Sequence, residues 1–297
     1  MPRRKIPPEV VAEQRLAHDL KTLDFASVLA AASERRPGEP GRENCSLCRG
    51  AFGPVLDAVE LVRGMVLLTA HRVDGDTLEL RQITSTIHGD DTDTLPPMDA
   101  ISVIEQLSKA ENFLLSSGDP RWPQTRAGRR GWVEIGKRRR ARGHGFQTIR
   151  LLASEPKRVL RDREFTHRHG GGRPSVLETT NPPELLVGEF RGGLAAQLVA
   201  EPRRAFETIL YCRPSATGLL SDLSGNQRWG LAQALRELTG ALKLELSVRG
   251  LPVRYGWRLH VGEGLEPYVR IAAHRSISVA DGPREWVERL KSHIGVE

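Results

Sequence analysis

Two periodicities of hydrophobic and polar residues organise the first half of the chain. Apolar positions alternate with polar ones, a pattern typical of β-strands, over residues 55–69, 77–87, 132–135 and 147–154. Between these segments, Ile101, Ile104 and Leu107 recur at helical spacing. Asp99 precedes them and belongs to the residue types that cap helix N-termini. We therefore predict strands on either side of a helix that Asp99 caps.

The same order of elements recurs in the second half. Strand patterns cover residues 195–201, 206–213, 253–262 and 268–273, and helical patterns cover residues 225–244 and 286–294. Ser224 stands immediately before the longer helical run, where its hydroxyl is expected to cap the helix. Each half thus predicts strands, a capped helix and further paired strands, which indicates an internal repeat of one α+β unit.

Breaks in these patterns divide the chain into three regions. Residues 1–40 are predicted to form a polar N-terminal arm and linker, because residues 34–44 are rich in Pro, Gly and charge. A second polar and broken stretch, residues 155–183, separates the two repeats. We therefore place the first half at 41–175 and the second at 176–297. The expected fold class is α+β, with antiparallel sheets and helices packed on one face.

Composition is that of an ordinary globular protein. Hydrophobic residues make up 39% and charged residues 27% of the 297 positions, which suffices for one large or two ordinary domains. No run of about 18 apolar residues is present, and the basic N-terminus has no apolar stretch behind it. Three cysteines are too few for a disulfide scaffold. We expect a cytoplasmic protein with no membrane partner.

Positive charge is concentrated in one segment. The chain carries a net charge of +7, yet residues 121–150 alone contain ten basic residues and one acidic residue, which gives them +9. The remaining residues therefore sum to about −2. One interpretation is a site for phosphate, a nucleotide or nucleic acid. The alternative is a solvated surface segment in a protein that prefers Arg to Lys.

Several motifs carry a resemblance to a known family. In the second half they are FETILYCRP at 206–214, LSDLS at 220–224 and YGWRLHVGEG at 255–264. In the first half, a Cys-x-x-Cys turn, a strand ending at His88, a helix and the segment GWVEIGK at 131–137 follow in the matching order. Over residues 40–275 the chain resembles galactose-1-phosphate uridylyltransferase, a member of the histidine-triad superfamily. The resemblance implies two histidine-triad-like halves.

The resemblance also implies a site for a nucleoside diphosphate sugar. In the family, a histidine of a His-Pro-His-x-Gln motif attacks the α-phosphate and forms a nucleotidyl-histidine, which requires a neutral imidazole in an electropositive site. The motif falls here on GHGFQTIR at 143–150. If His144 takes the first position, Phe146 replaces the nucleophile and Thr148 replaces the Gln. A shifted alignment puts Thr148 at the nucleophile, and neither side chain serves that role.

The second histidine motif of the family is also changed. Its His-x-His falls on Tyr268-Val-Arg270, whereas His260 keeps its family position. Candidate replacements for the nucleophile are His144 and His169, the latter in a His-x-His pair before three glycines that resembles a phosphate nest. The alternative for this pair is an exposed loop. The residues expected to bind nucleotide or phosphate are Lys137, Arg138, Arg139, Arg140, Arg142, Thr148, Arg150, His260 and Arg270.

A zinc site is the expected cofactor site. The two-residue gap between Cys45 and Cys48 lets two thiolates meet one tetrahedral Zn²⁺. In family members that bind zinc, the resemblance puts the other two ligands at His88 and His144. Four protein ligands leave no open position for water, so the zinc would be structural.

Three functions remain as hypotheses. The first is an active nucleotidylyltransferase of the UDP-hexose:hexose-1-phosphate type that uses a shifted histidine. The second is a non-catalytic derivative, a pseudoenzyme, that binds a nucleotide or nucleotide-sugar through the Arg-rich loop. The third is a nucleic-acid-binding module. The changes at both histidine motifs favour the second, and the resemblance also makes a homodimer an expectation.

Overall fold

One antiparallel sheet and the helices on it account for the part of the chain that a computed structural model describes. The described residues are 55–62, 64–74, 77–86, 91–115, 132–138, 146–152, 183–212, 219–260 and 268–294. The strands in them are β1 (Val55–Glu60), β2 (Met65–Asp74), β3 (Thr77–Ile83), β4 (Trp132–Arg138), β5 (Phe146–Leu152), β6 (Leu186–Phe190), β7 (Leu194–Leu198), β8 (Thr208–Cys212), β9 (Tyr255–His260) and β10 (Tyr268–Ala273). The helices are α1 (Pro97–Leu115), α2 (Gly225–Val248) and α3 (Pro283–His293). None of these described helices has the length and apolar composition of a membrane span.

The sheet is built from two copies of one strand plan. Its strand order is β1-β2-β3-β5-β4-β9-β10-β8-β7-β6, and every neighbouring pair is antiparallel. Outward from the middle, the first half runs β4, β5, β3, β2, β1 and the second runs β9, β10, β8, β7, β6. Each half also carries its long helix after its third strand. The predicted α+β repeat is thereby confirmed, and its two sheets are joined into one where β4 pairs with β9, a junction we call the seam.

The helices pack on one face of the sheet. Because side chains alternate between the two faces of a strand, every second residue of the central strands enters the core under the helices. Ile135, Ile149 and Trp257 are buried there with Leu107 of α1 and Leu238 of α2. Two smaller apolar clusters lie on the other face, and neither contains a residue of a described helix. We call this other face the second face of the sheet.

The starts of the two long helices differ in how well the sequence predicts them. The Ser224 hydroxyl accepts a hydrogen bond from Gln227 N at 3.3 Å, and the Gln227 side chain accepts one from Ser224 N at 2.8 Å, so a capping box begins α2 as expected. The predicted Asp99 cap is wrong, since α1 begins at Pro97. The Asp99 carboxylate instead accepts hydrogen bonds from Val62 N, at 3.0 and 3.1 Å.

Two differences concern the outer strands. The strand predicted over 55–69 is the hairpin of β1 and β2, because Gly64 adopts a positive φ of 79° and its carbonyl accepts a hydrogen bond from Leu61 N at 3.0 Å. The sequence pattern also does not reveal β6, which pairs with β7 at the edge of the sheet. Its five residues are too few for a clear alternation.

Candidate functional site

A row of directly paired residues crosses the second face of the sheet. From β2 to β7 it consists of Thr69, Arg81, Thr148, Gly136, Arg258, Arg270, Ile209 and Gln197, each opposite the next in the strand register. Gly136 and Arg258 form the pair at the seam. Arginines therefore stand on both sides of the seam, one from the first half and two from the second.

Ion pairs orient most of the arginines on this face. Arg270 Nη1 lies 2.7 Å from Glu207 Oε1, and the other oxygen of the buried Glu207 accepts a hydrogen bond from the backbone of Arg203 at 2.7 Å. Arg258 Nη1 lies 3.3 Å from Glu134 Oε2. In the next row, Arg150 Nε lies 2.5 Å from Glu79 Oε2. Because charge-assisted hydrogen bonds restrict both partners, these guanidinium groups are held in place across the sheet.

The first half adds an aromatic ring and a hydroxyl to the face. The guanidinium of Arg81 lies over the Phe146 ring, 4.7 Å from its centroid, a cation–π contact. Thr148 Oγ1 donates a hydrogen bond to the carbonyl of Gly136 at 3.2 Å. The face between β3 and β10 thus offers guanidinium donors around a glycine and carries no imidazole among its described side chains.

Solved structures share this architecture. A uridylyltransferase matches with a TM-score of 0.65 at 16% identity, over 87% of this chain and 94% of that one. An ADP-glucose phosphorylase from Arabidopsis thaliana, with bound ADP-glucose, gives 0.64 at 10% identity over 88% and 96%. A GalT-like protein from the same organism gives 0.66 at 10% identity over 90% and 98%. The chain has the uridylyltransferase fold. No protein-family model and no curated protein matches the sequence.

The shared fold confirms the expected architecture, and the structure shows where the residues of the changed segment lie. Both residues that the alternative alignments put at the nucleophile, Phe146 and Thr148, lie in β5 with their side chains on the second face. Phe146 is half-buried against Arg81. The Thr148 hydroxyl is turned to a carbonyl rather than to a base. At this point of the strand the chemistry present is hydrogen bonding and stacking.

Among the other predicted binding residues, the structure brings Arg150 and Arg270 onto the same face as Thr148. It separates Lys137 from them. Lys137 is buried on the helical face, where its ammonium forms an ion pair with Asp91 and a hydrogen bond to Thr92 Oγ1 at 3.3 Å. Its charge is therefore matched by a buried carboxylate, and a phosphate-binding role for Lys137 stays a prediction.

The remaining predicted site residues are not described, or only their backbones are. Cys45, Cys48, His88, Arg139, Arg140, Arg142, His144 and His169 lie outside the described residues. Arg138 ends β4 opposite Gly256, and His260 ends β9 opposite Tyr268. In the described part of the chain, no group of three or more His, Cys, Asp or Glu side chains is placed to hold a metal ion.

Sequence reasoning missed Arg81, Arg258 and their surroundings. The alternation in YGWRLH does indicate that Arg258 points away from the side that buries Tyr255 and Trp257. It does not indicate that β9 pairs with β4, which puts Arg258 opposite Gly136. A pairing between segments more than a hundred residues apart leaves no local signal.

Proposed function

We propose that this protein binds the phosphate groups of a nucleotide or nucleotide-sugar on the second face of its sheet, with nucleotidyl transfer weakened or lost. One observation carries the proposal. The two strand positions that the alternative alignments assign to the nucleophilic histidine hold Phe146 and Thr148, while Arg81, Arg258 and Arg270 line the row across the same face.

Phosphate binding is supported by the type and arrangement of the donors. Arginine presents planar forks of N–H groups that match phosphate oxygens. Arg258 contacts Glu134 through its Nη1, and Arg270 contacts Glu207 through its Nη1. Each guanidinium group therefore has further N–H groups with which to bind a phosphate. In the sequence, the Arg-rich segment predicted to bind phosphate, with Arg139, Arg140 and Arg142, follows directly after β4.

Loss of transfer is supported by the chemistry of the two candidate positions. Forming a nucleotidyl intermediate requires a nucleophile with an available lone pair and, for a hydroxyl, a base that removes its proton. Phe146 has no such lone pair. The Thr148 hydroxyl donates a hydrogen bond to the Gly136 carbonyl, and a carbonyl does not act as a base at neutral pH. A transfer reaction would need His144 or His169, the shifted histidines of the alternative hypothesis.

The choice of ligands to test follows from the structural neighbours. One is described as a uridylyltransferase and another as an ADP-glucose phosphorylase with bound ADP-glucose. UDP-glucose and ADP-glucose should therefore be titrated into the full chain by calorimetry. We expect saturable one-site binding that is weakened in Arg81→Gln and unchanged in Arg284→Gln, where the replaced side chain is 83% exposed at a surface ion pair. Absence of binding by both nucleotides would contradict the proposal.

A structural zinc ion at Cys45, Cys48, His88 and His144 is part of the same proposal. Two thiolates and two imidazoles are a donor set that tetrahedral Zn²⁺ prefers, and they would tie the segment before β1 to the rest of the first half. Metal analysis of the purified chain is expected to find one Zn²⁺ per chain, and less in Cys45→Ser. Cys212, which is buried in β8, supplies the control variant Cys212→Ser. Equal zinc content in all three proteins would contradict the assignment.

A further inference from the structure

Two arginines stand directly opposite each other next to the seam. Arg258 of β9 pairs with Arg270 of β10 in the strand register, and both side chains belong to the second face. Directly opposed side chains have Cβ atoms about 5 Å apart, and like charges at that position are destabilising. Such a pair needs negative charge to stabilise it.

The negative charge that the protein supplies lies on the outer side of each arginine. Glu134, the partner of Arg258, belongs to β4, which is on the far side of β9 from β10. Glu207, the partner of Arg270, immediately precedes β8, which is on the far side of β10 from β9. The carboxylates therefore orient the two guanidinium groups without filling the space between them.

Two further observations concern the space that remains. Among the described contacts, the buried Nε of Arg270 has no hydrogen-bond partner, and an unmet buried donor is costly. On the other side of Arg258, Gly136 has no side chain, and a Cβ built there would lie 3.8 Å from Arg258 Cγ. The row therefore holds no side chain between Arg258 and Thr148, and it is short of an acceptor at Arg270.

We infer that Arg258 and Arg270 form a two-guanidinium clamp for a phosphoryl group of a diphosphate. An anion between the two guanidinium groups is nearer to them than to either carboxylate, and the Coulomb energy falls with distance, so the attraction exceeds the repulsion. The clamp lies in the second half, across the seam from Thr148 and Arg81, and a bound diphosphate would span the seam. For the class of ligand, the inference rests on the proposed function.

Inorganic pyrophosphate tests the clamp without a nucleoside. It should be titrated by calorimetry into the full chain and into Arg258→Gln, Arg270→Lys and Arg284→Gln, with inorganic phosphate and UDP-glucose titrated in parallel. Because each variant loses hydrogen bonds between charged groups, we expect Arg258→Gln and Arg270→Lys to bind pyrophosphate about 10- to 100-fold more weakly than the original chain. The control Arg284→Gln should bind pyrophosphate as tightly as the original chain does. The original chain should bind inorganic phosphate more weakly than pyrophosphate.

Each outcome supports or overturns the inference. Arg270→Lys keeps a cation next to the buried Glu207, and circular dichroism verifies that each variant is folded. If Arg270→Lys does not fold, the pyrophosphate affinity of Arg258→Gln alone tests the clamp. Pyrophosphate affinity that is unchanged in Arg258→Gln, or no pyrophosphate binding at all, overturns the clamp. If UDP-glucose still binds in that case, the proposed function stands without the clamp. If pyrophosphate binds in an Arg258-dependent manner and neither UDP-glucose nor ADP-glucose binds, the clamp stands and the proposed function does not.

Discussion

Glu111 is a buried carboxyl group in α1 that joins the two halves on the helical face. Its oxygens accept hydrogen bonds from the backbone N–H groups of Leu220 at 3.3 Å and Ser221 at 2.8 Å, in the 3₁₀ turn before α2. Burial raises its pKa to about 7, and the hydrogen bonds from Ser221 and Leu220 offset only part of that effect. Ionisation of Glu111 in the folded state therefore lowers the stability of the protein as the pH rises.

We predict that Glu111→Gln reduces the pH dependence of stability. In the unfolded chain the carboxyl has a pKa near 4.5, so between about pH 4.5 and 7 the folded state binds more protons and stability falls as pH rises. This residue should cost about 3 kcal/mol of unfolding free energy over that window. Gln keeps the acceptor and does not titrate. Urea unfolding at pH 5 and pH 7.5 measures the difference, and an equal change in both proteins would contradict the prediction.

Lys137 and Arg150 show that neighbours in one basic segment can have different energetic roles. Lys137 is buried with Asp91 in a polar network that includes Thr92 and Gln147. Arg150 faces solvent with 41% of its side chain exposed and pairs with Glu79. Removal of one partner from a buried pair leaves the other charge unmatched, whereas an exposed pair is screened by water.

The expected result is a large difference between two charge-removing variants. Lys137→Met should lower the unfolding free energy by about 3–5 kcal/mol, and Arg150→Gln by at most about 1 kcal/mol. Urea unfolding at neutral pH measures both, with Arg150→Gln as the matched control. Equal losses would show that the Lys137–Asp91 pair does not have the role assigned to it.

At the scale of elements, the sequence predicts a helix start correctly where residues close in sequence form the cap. Ser224 and Gln227 lie three residues apart and form the capping box of α2, so the start of that helix was visible in the sequence. Asp99 has the same capping propensity, but its carboxylate is taken by Val62 in the preceding hairpin. The hairpin itself depends on the positive φ of Gly64. A contact between distant segments thus accounts for the wrong cap, whereas a local turn and a short strand account for the elements that the pattern missed.

At the scale of the whole molecule, the site arises from joining two copies of one unit. The α+β repeat was predicted from the order of strands and helices, and the resemblance implied two related halves. The seam could not be predicted, because the register that sets Gly136 opposite Arg258 comes from the pairing of β4 with β9. For the same reason the charge count of residues 121–150 could not show that Lys137 is buried.

The fold also neutralises part of the net charge of the basic segment. Lys137 and Arg150 are matched by Asp91 and Glu79, so part of the +9 of residues 121–150 is neutralised within the fold. A site for a small phosphate ligand needs few free guanidinium groups, whereas a polynucleotide site needs many and loses affinity steeply with salt. Nucleic-acid binding and the homodimer therefore stay predictions.

The proposed function combines two properties: the protein binds the phosphate groups of a nucleotide or nucleotide-sugar, and nucleotidyl transfer is weakened or lost. The most direct measurement is incubation of the full chain with UDP-glucose labelled at the α-phosphate, followed by equilibrium dialysis and by denaturation in base and in acid. We predict label that is retained at equilibrium and released completely on denaturation. Label that survives base, is lost in acid, and is absent from His144→Ala or His169→Ala would contradict the claim and establish an active transferase.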